Sequence, residues 1–266
     1  MRRSMKDVQN AADARGVAIQ KVGVSDVHLP FLIKTKSGDF QSVLARIKLT
    51  ADLPEEFKGT HMSRFIEILS EWSQKPISVR EMENILADTI EKLHAQSASI
   101  EIGFKYFVEK TAPVSKLTSL LDYDCSFSGS LKKGAHVDFT LGLAVPFTSL
   151  CPCSKEISAY GAHNQRGLMK VKIKFKPGRF IWIEDLADLM ESKASSPVYP
   201  LLKREDEKYV TEKAYENPKF VEDVLRDLVL SFRQAEGVEY FEIECENYES
   251  IHNHSAYAFH EESKNK

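Results

Sequence analysis

Two thiols and an imidazole stand close together in the stretch Cys151-Pro152-Cys153-Ser154-Lys155-Glu156-Ile157-Ser158-Ala159-Tyr160-Gly161-Ala162-His163-Asn164-Gln165-Arg166. Thiolate and imidazole are the ligands that zinc and other borderline metals prefer, and a thiolate is also a nucleophile. Free cysteine is often an inert core residue. Pro152 argues against that here, because it fixes a turned or extended backbone and marks a loop. A structural zinc site closes four protein ligands, and this chain has no second closely spaced pair of thiols. A metal here would therefore sit in an open, catalytic site. His163 by itself reads as a hydrogen-bonded loop histidine; the two thiols beside it make it a candidate ligand. Asn164, Gln165 and Arg166 add donors for a carbonyl or a phosphate.

Three further groups could contribute. In Glu249-Ser250-Ile251-His252-Asn253-His254, the two histidines at period 2 would share one side of a strand and suit acid–base work at neutral pH, with Glu246 and Glu249 nearby. An exposed polar tail is the alternative. His61-Met62-Ser63-Arg64 opens a helix, where Ser and Arg either receive an anion or simply cap. Glu222 falls among the apolar positions of a helix and would need a partner there, either a salt bridge or a planar pair of N–H donors.

Several elements must position these groups. Residues 1–16 read as a mobile arm. Residues 17–24 and 31–36 read as strand, Ser37-Gly38-Asp39 as a turn, and residues 40–53 as the partner strand with period 2. Residues 61–72 and 79–95 follow helical spacing, with Ser78 as N-cap of the second helix. Strands follow over 99–109 and 119–131. After Lys132-Lys133-Gly134 the order repeats: a strand over 135–149, the reactive stretch as a connection, a strand over 169–175, helices over 183–193 and 218–234, and strands over 238–245 and 255–260. The segment 195–217 is the least periodic. Its charged run, 203–208, reads as a solvated loop with room for a functional one. The expectation is an α+β design with helices on one face of an antiparallel sheet. The expected division is an arm over 1–16, one module over 17–133 and a second over 134–266.

Composition limits the function classes. The 266 residues are 42% hydrophobic and 28% charged, ordinary for a globular protein. A net charge of -3 argues against nucleic acid held by bulk electrostatics, though not against a local basic pocket. The four cysteines, Cys125, Cys151, Cys153 and Cys245, are too few for a disulfide framework. Residues 1–16 lack the apolar core of a signal peptide, and no run of apolar residues is long enough to span a membrane. A reducing cytoplasm is the expected location.

The stretch from Cys151 to Arg166 resembles the signature of the prokaryotic GTP cyclohydrolase IB family. The resemblance extends to Gly59-Thr60-His61-Met62-Ser63-Arg64-Phe65, to Tyr209-Val210-Thr211-Glu212 with Ala214-Tyr215-Glu216-Asn217-Pro218, and to the Glu249–His254 block. It implies the tunnelling fold (T-fold), with two tandem ββααββ modules, and a homotetramer with shared active sites. It implies a divalent metal, zinc or manganese, and hydrolysis of GTP at C8 with release of formate and formation of 7,8-dihydroneopterin triphosphate, the first step towards tetrahydrofolate. By the same resemblance Cys151, His163 and Glu207 are metal ligands, and Cys153 is a second active-site thiol, catalytic or an alternative ligand. Glu222 anchors guanine, and Glu249, His252 and His254 form the acid–base cluster. His61, Ser63, Arg64, Asn164, Gln165, Arg166 and Lys155 are left as candidate substrate contacts.

Two rivals remain. The nitrile reductase of queuosine synthesis shares that fold and carries a Glu-Ser-Lys-Ser/Ala-x-Lys motif. Glu191-Ser192-Lys193-Ala194 begins the match, but Ser196 stands where the second Lys belongs. A non-catalytic protein with a closed structural zinc is the other.

Overall fold

The computed structural model describes Gln9 and residues 11–264. Its first elements are β1 (Ile19–Lys34), β2 (Phe40–Leu53), α1 (Met62–Ser73), β3 (Pro76–Ile77), α2 (Val79–Leu93), β4 (Ser97–Thr111) and β5 (Thr118–Lys132). There follow β6 (Asp138–Leu150), α3 (Pro152–Ile157), β7 (Asn164–Phe175), α4 (Ile183–Glu191), β8 (Ser196–Pro197), α5 (Arg204–Glu216), α6 (Val221–Gln234), β9 (Val238–Tyr248) and β10 (Ser255–Ser263). The strands hydrogen-bond in the order β10-β9-β7-β6-β5-β4-β2-β1-β3, with β8 beside β6.

The expected pair of ββααββ modules is not what forms. A short strand, β3, separates α1 from α2, and it pairs parallel to β1. In the second half α3 interrupts the first two strands, and α4, β8 and α5 all precede α6. The strands join one ten-stranded sheet. The periodicity reading missed this because two-residue strands and a strongly polar helix leave no hydrophobic period to read.

Two compact units divide the chain. The first holds the described residues up to Phe104 together with Ser126–Thr140; the second holds Lys105–Cys125 and the residues from Leu141 on. The units are thus not contiguous stretches, because the long strands β4, β5 and β6 each pass through both.

In the first unit, β1 and β2 form a hairpin closed by Gly38 at φ 93°, a left-handed value that costs glycine little. Alternate residues Val43, Ala45, Ile47 and Leu49 point inward and are buried. Also buried are Phe65, Ile68, Leu69 and Trp72 of α1 and Met82, Ile85 and Leu86 of α2, at the i, i+3, i+4, i+7 spacing of an amphipathic helix. Ser78 caps α2 as expected, with Glu81 accepting from its backbone N–H at 2.9 Å. Of the supposed arm, residues 1–8 and 10 lie outside the described residues. The rest is fixed: Gln9, Ala11 and Asp13 exchange backbone hydrogen bonds with Gly59, Lys58 and Glu56.

In the second unit, β7, β9 and β10 form an antiparallel layer. Val224, Leu228 and Phe232 of α6 are buried, and Phe232 packs on Phe241 of β9 with ring centroids 5.6 Å apart. A buried polar cluster holds α4: Tyr123 donates to Glu191 Oε1 at 2.6 Å, and Lys110 pairs with Glu191 Oε2. Burial, then the Glu191 charge and hydrogen bond, push the Tyr123 phenol well above its ordinary range.

Candidate active site

Cys151 is placed by the end of β6. That strand is buried on alternate positions up to Ser149 and Leu150, and Pro152 then starts the short helix α3. Cys151 caps this helix, its Sγ 3.5 Å from the backbone N–H of Ser154. His163 is held against the same turn by main chain. Cys151 N–H donates to His163 O at 3.1 Å, and His163 N–H donates to Ser154 Oγ at 3.1 Å. The Ser154 hydroxyl donates back to Cys151 O at 3.1 Å. The twelve-residue separation of thiol and imidazole is thus closed by Ser154. Cys151 is half-buried and Cys153 exposed. The other two thiols are buried; burial first, then the Glu244 charge, push Cys245 up to about 12, and burial pushes Cys125 up as well. Those two stay protonated and inert, leaving Cys151 and Cys153 for chemistry.

The His163 ring is oriented by side chains. Its Nδ1 lies 3.1 Å from Gln165 Oε1 and 3.2 Å from Ser250 Oγ. Gln165 in turn donates to Glu249 Oε1 at 3.5 Å. β7 starts at Asn164, five residues earlier than periodicity indicates, so this stretch alternates: Asn164 and Arg166 are exposed, and Gln165 is buried. Asn164 and Arg166 remain accessible to a substrate, whereas Gln165 faces protein.

Glu207 lies in the first turn of α5, where a solvated loop was expected. The helix is almost wholly polar and buries only Asp206 and Ala214, which explains why it left no hydrophobic stripe. Asp206 accepts from Val114 N at 2.8 Å, Ser115 N at 2.9 Å, Ser115 Oγ at 2.6 Å and Lys203 N at 2.9 Å. Burial alone would raise its carboxyl; these donors outweigh it and hold the group below the usual carboxylate range. Lys155 of α3 reaches α5, donating to Tyr215 O and lying 4.3 Å from the Tyr215 ring centroid. That lysine is therefore a tie between α3 and α5 rather than an open phosphate contact. Among the described residues no three His, Cys, Asp or Glu side chains converge as a metal-binding group, so Glu207 is not gathered with Cys151 and His163.

Other expected residues are placed differently from their reading. Glu222 does not sit on the apolar face of its helix. Val221, Val224, Leu228 and Phe232 form the buried stripe, and the next residue round, about 100° away, is exposed. His252 and His254 are not on a strand but in the irregular connection between β9 and β10; both are exposed, and their rings stack with centroids 5.2 Å apart. In the first unit His61 caps α1 without a side-chain cap bond, and Met62, Ser63 and Arg64 form its first turn. Arg64 Nη1 donates to Lys92 O at 3.1 Å, a bond to the end of α2.

Sequence reasoning missed a buried hub behind Cys151. Ser149 Oγ donates to Lys219 O at 2.7 Å and receives Asn247 Nδ2 at 3.2 Å. Lys219 N–H donates to Leu150 O at 3.0 Å, and Leu150 N–H to Ser195 Oγ at 3.2 Å. Asn217 Nδ2 donates to Ala194 O at 2.9 Å. The chain positions leading to Cys151, Glu222 and Glu249 are thereby tied together. Asn217 lay inside a quoted motif; Ser149 and Asn247 carried no signal beyond polar residues in apolar strands.

The type I GTP cyclohydrolase folE2 family model matches residues 5–258. The chain belongs to that family. Among its relatives, the GTP cyclohydrolase FolE2 of Geobacter sp. (strain M21) is 53% identical over 261 residues, covering 98% of this chain and 96% of that one. That of Geobacter sulfurreducens is 52% identical over 262 residues, covering 98% and 100%. The motif resemblance thus holds at the level of type I GTP cyclohydrolases, and the folE2 family takes the place of the IB designation. Similar solved structures are a uricase from Bacillus fastidious (TM-score 0.56, 8% identity, 94% of each chain) and a urate oxidase mutant from Bacillus sp. TB-90 (TM-score 0.55, 10% identity, 92% of this chain and 100% of that one). At that identity they speak to fold alone, and they replace the tunnelling-fold expectation with a urate oxidase-like arrangement around a large sheet. Neither rival reading finds support: in this folE2 family member, the Glu191 that begins the reductase match is buried and committed to Tyr123 and Lys110.

Proposed function

We propose that this chain is a GTP cyclohydrolase that hydrolyses GTP at C8, releases formate and forms 7,8-dihydroneopterin triphosphate. The observation that carries this reading is the folE2 family match over nearly the whole chain. Within it, Cys151 and His163 are fastened to one turn through Ser154.

A divalent metal, zinc or manganese, fits the first two donors: a half-buried thiol at a helix cap and an imidazole whose Nδ1 is already engaged, leaving Nε2. When bound, it supplies Lewis acidity to water beside C8. Glu207 is proposed as a third donor, brought in when the site is loaded or assembled. Cys153, exposed two residues further on, is the second active-site thiol. The stacked His252 and His254 hold or move the proton at the ring nitrogen that leaves C8, and Glu249 assists them. Glu222, exposed in the first turn of α6, accepts from the guanine N1–H and 2-amino group. Adenine would leave that carboxylate unpaired. Arg166 and Asn164 are proposed for the triphosphate. The proposed assembly is a homotetramer with shared sites, in the cytoplasm, feeding tetrahydrofolate synthesis. No helix among the described residues is long and apolar enough to cross a membrane.

The test is direct. Purified protein with GTP and manganese should yield a product that becomes fluorescent neopterin after oxidation and dephosphorylation, with one formate per GTP. Metal-loaded protein that leaves GTP intact would overturn the proposal.

A further inference from the structure

We propose that Gln165 is a positioning residue that locks His163 in its Nδ1–H tautomer, so that Nε2 is the nitrogen offered to a ligand. This rests on the reading of His163 as a metal-binding residue, but its decisive observable does not require turnover.

A carboxylate only accepts hydrogen bonds, so the side-chain atom of Gln165 that faces Glu249 Oε1 at 3.5 Å must be its amide nitrogen. Turning the amide over would set carbonyl oxygen against carboxylate oxygen. The other end of Gln165, its Oε1, then faces His163 Nδ1 at 3.1 Å, and a carbonyl oxygen also only accepts. Nδ1 must therefore carry the proton. Ser250 Oγ, 3.2 Å from the same nitrogen, serves as a second acceptor, its own proton turned away. The polarity of three side chains is thus set by one carboxylate, and it leaves the Nε2 lone pair as the only one on the ring.

The geometry is built to last. Gln165 is buried, at 8% relative exposure, so water has little access to its amide. The His163 main chain is held from both sides, by Ser154 Oγ on its N–H and by Cys151 N–H on its carbonyl. Rotation of the ring about its two side-chain bonds is the remaining freedom, and Gln165 and Ser250 remove it. Gln165 therefore acts through His163 and need not touch GTP. The role also accounts for its alternation with exposed Asn164 and Arg166, which are left free for substrate.

The experiment uses the full-length chain labelled with 15N-histidine, with and without zinc, at a pH where ordinary imidazole is neutral. His163 resonances are assigned by their loss in His163→Asn. The wild-type cross-peak pattern should be that of an Nδ1–H ring. Gln165→Leu, close in shape, should shift the pattern towards Nε2–H or a mixture in zinc-free protein. It should also weaken zinc binding in chelator competition by about tenfold or more. Gln165→Glu, which keeps an acceptor at Nδ1, should restore the Nδ1–H pattern. Ser250→Ala should leave it unchanged. An Nε2–H pattern in the wild-type protein would overturn the proposal at once, whether or not any variant folds. So would an unaltered tautomer and zinc affinity in folded Gln165→Leu. Failure of the cyclohydrolase reading is separate, because it would show as absent turnover with the tautomer intact.

Discussion

Ser115 gives Asp206 two hydrogen bonds, one from its backbone N–H at 2.9 Å and one from its hydroxyl at 2.6 Å. Through this pair the turn between β4 and β5 holds the start of α5, the helix that carries Glu207. Asp206 has a lowered carboxyl pKa in the fold, so its ionised form is what the fold stabilises. Its contribution is complete above the unfolded value of about 4 and is lost as pH falls below it. Asp206→Asn should therefore lower the thermal midpoint at neutral pH by a few degrees. The gap between variant and wild type should close as pH drops through about 4 and below. Melting curves over a pH series check this, and a gap that widens in acid contradicts the assignment.

Cys151→Ala and His163→Ala should each lose bound metal and GTP hydrolysis together, since each removes one proposed donor of an open site. Elemental analysis of the purified variants decides the matter. Full metal occupancy in either would remove that residue from the ligand set.

Glu222→Gln should fold and bind metal like the wild type, because the side chain is exposed in the first turn of α6. Turnover of GTP should fall by about a hundredfold, equivalent to about 2.7 kcal/mol of transition-state binding. Inosine triphosphate lacks the 2-amino group and should suffer less from the substitution. Steady-state kinetics with both nucleotides checks this; near-normal GTP turnover would mean that guanine is anchored elsewhere.

Gly167→Ala tests the close packing behind the site. A Cβ on Gly167 would lie 2.5 Å from the Phe147 ring and 2.7 Å from Asn247 Oδ1. Gly167 and Asn247 face each other across β7 and β9, so neither strand can move without breaking its ladder. Overpacking of this kind costs about 1–3 kcal/mol. Urea unfolding should show a lower midpoint with unchanged slope, and a midpoint equal to wild type would show that Phe147 gives way.

A homotetramer is expected in solution. β10 is a sheet edge carrying exposed Tyr257 and Phe259, and such an edge needs cover. Sedimentation or light scattering that finds only monomer at full activity would refute the assembly.

Much was legible from residue order because it is local. Helical spacing marked Phe65, Leu69 and Trp72 of α1 and Met82, Ile85 and Leu86 of α2 as buried, although Ile66, expected on the same face of α1, is exposed and Ile68 takes its place; Ser78 announced its capping box, and period 2 placed Val43, Ala45, Ile47 and Leu49 inward. Cys151, His163 and the neighbouring motifs led to the type I GTP cyclohydrolases without any coordinates, since a run of motif residues in order is itself sequence information. What order could not decide was phase and partnership. Moving the start of β7 by five residues settled which of Asn164, Gln165 and Arg166 face outward. One helical step placed Glu222 outside the stripe of Val221, Val224 and Leu228. The polar helix α5 exists because Asp206 finds donors about ninety positions away at Val114 and Ser115. Likewise the strands join one ten-stranded sheet because strand pairing is chosen between distant segments. Burial and hydrogen-bond partners are properties of what covers a residue, and for these residues the covering segments come from far along the chain.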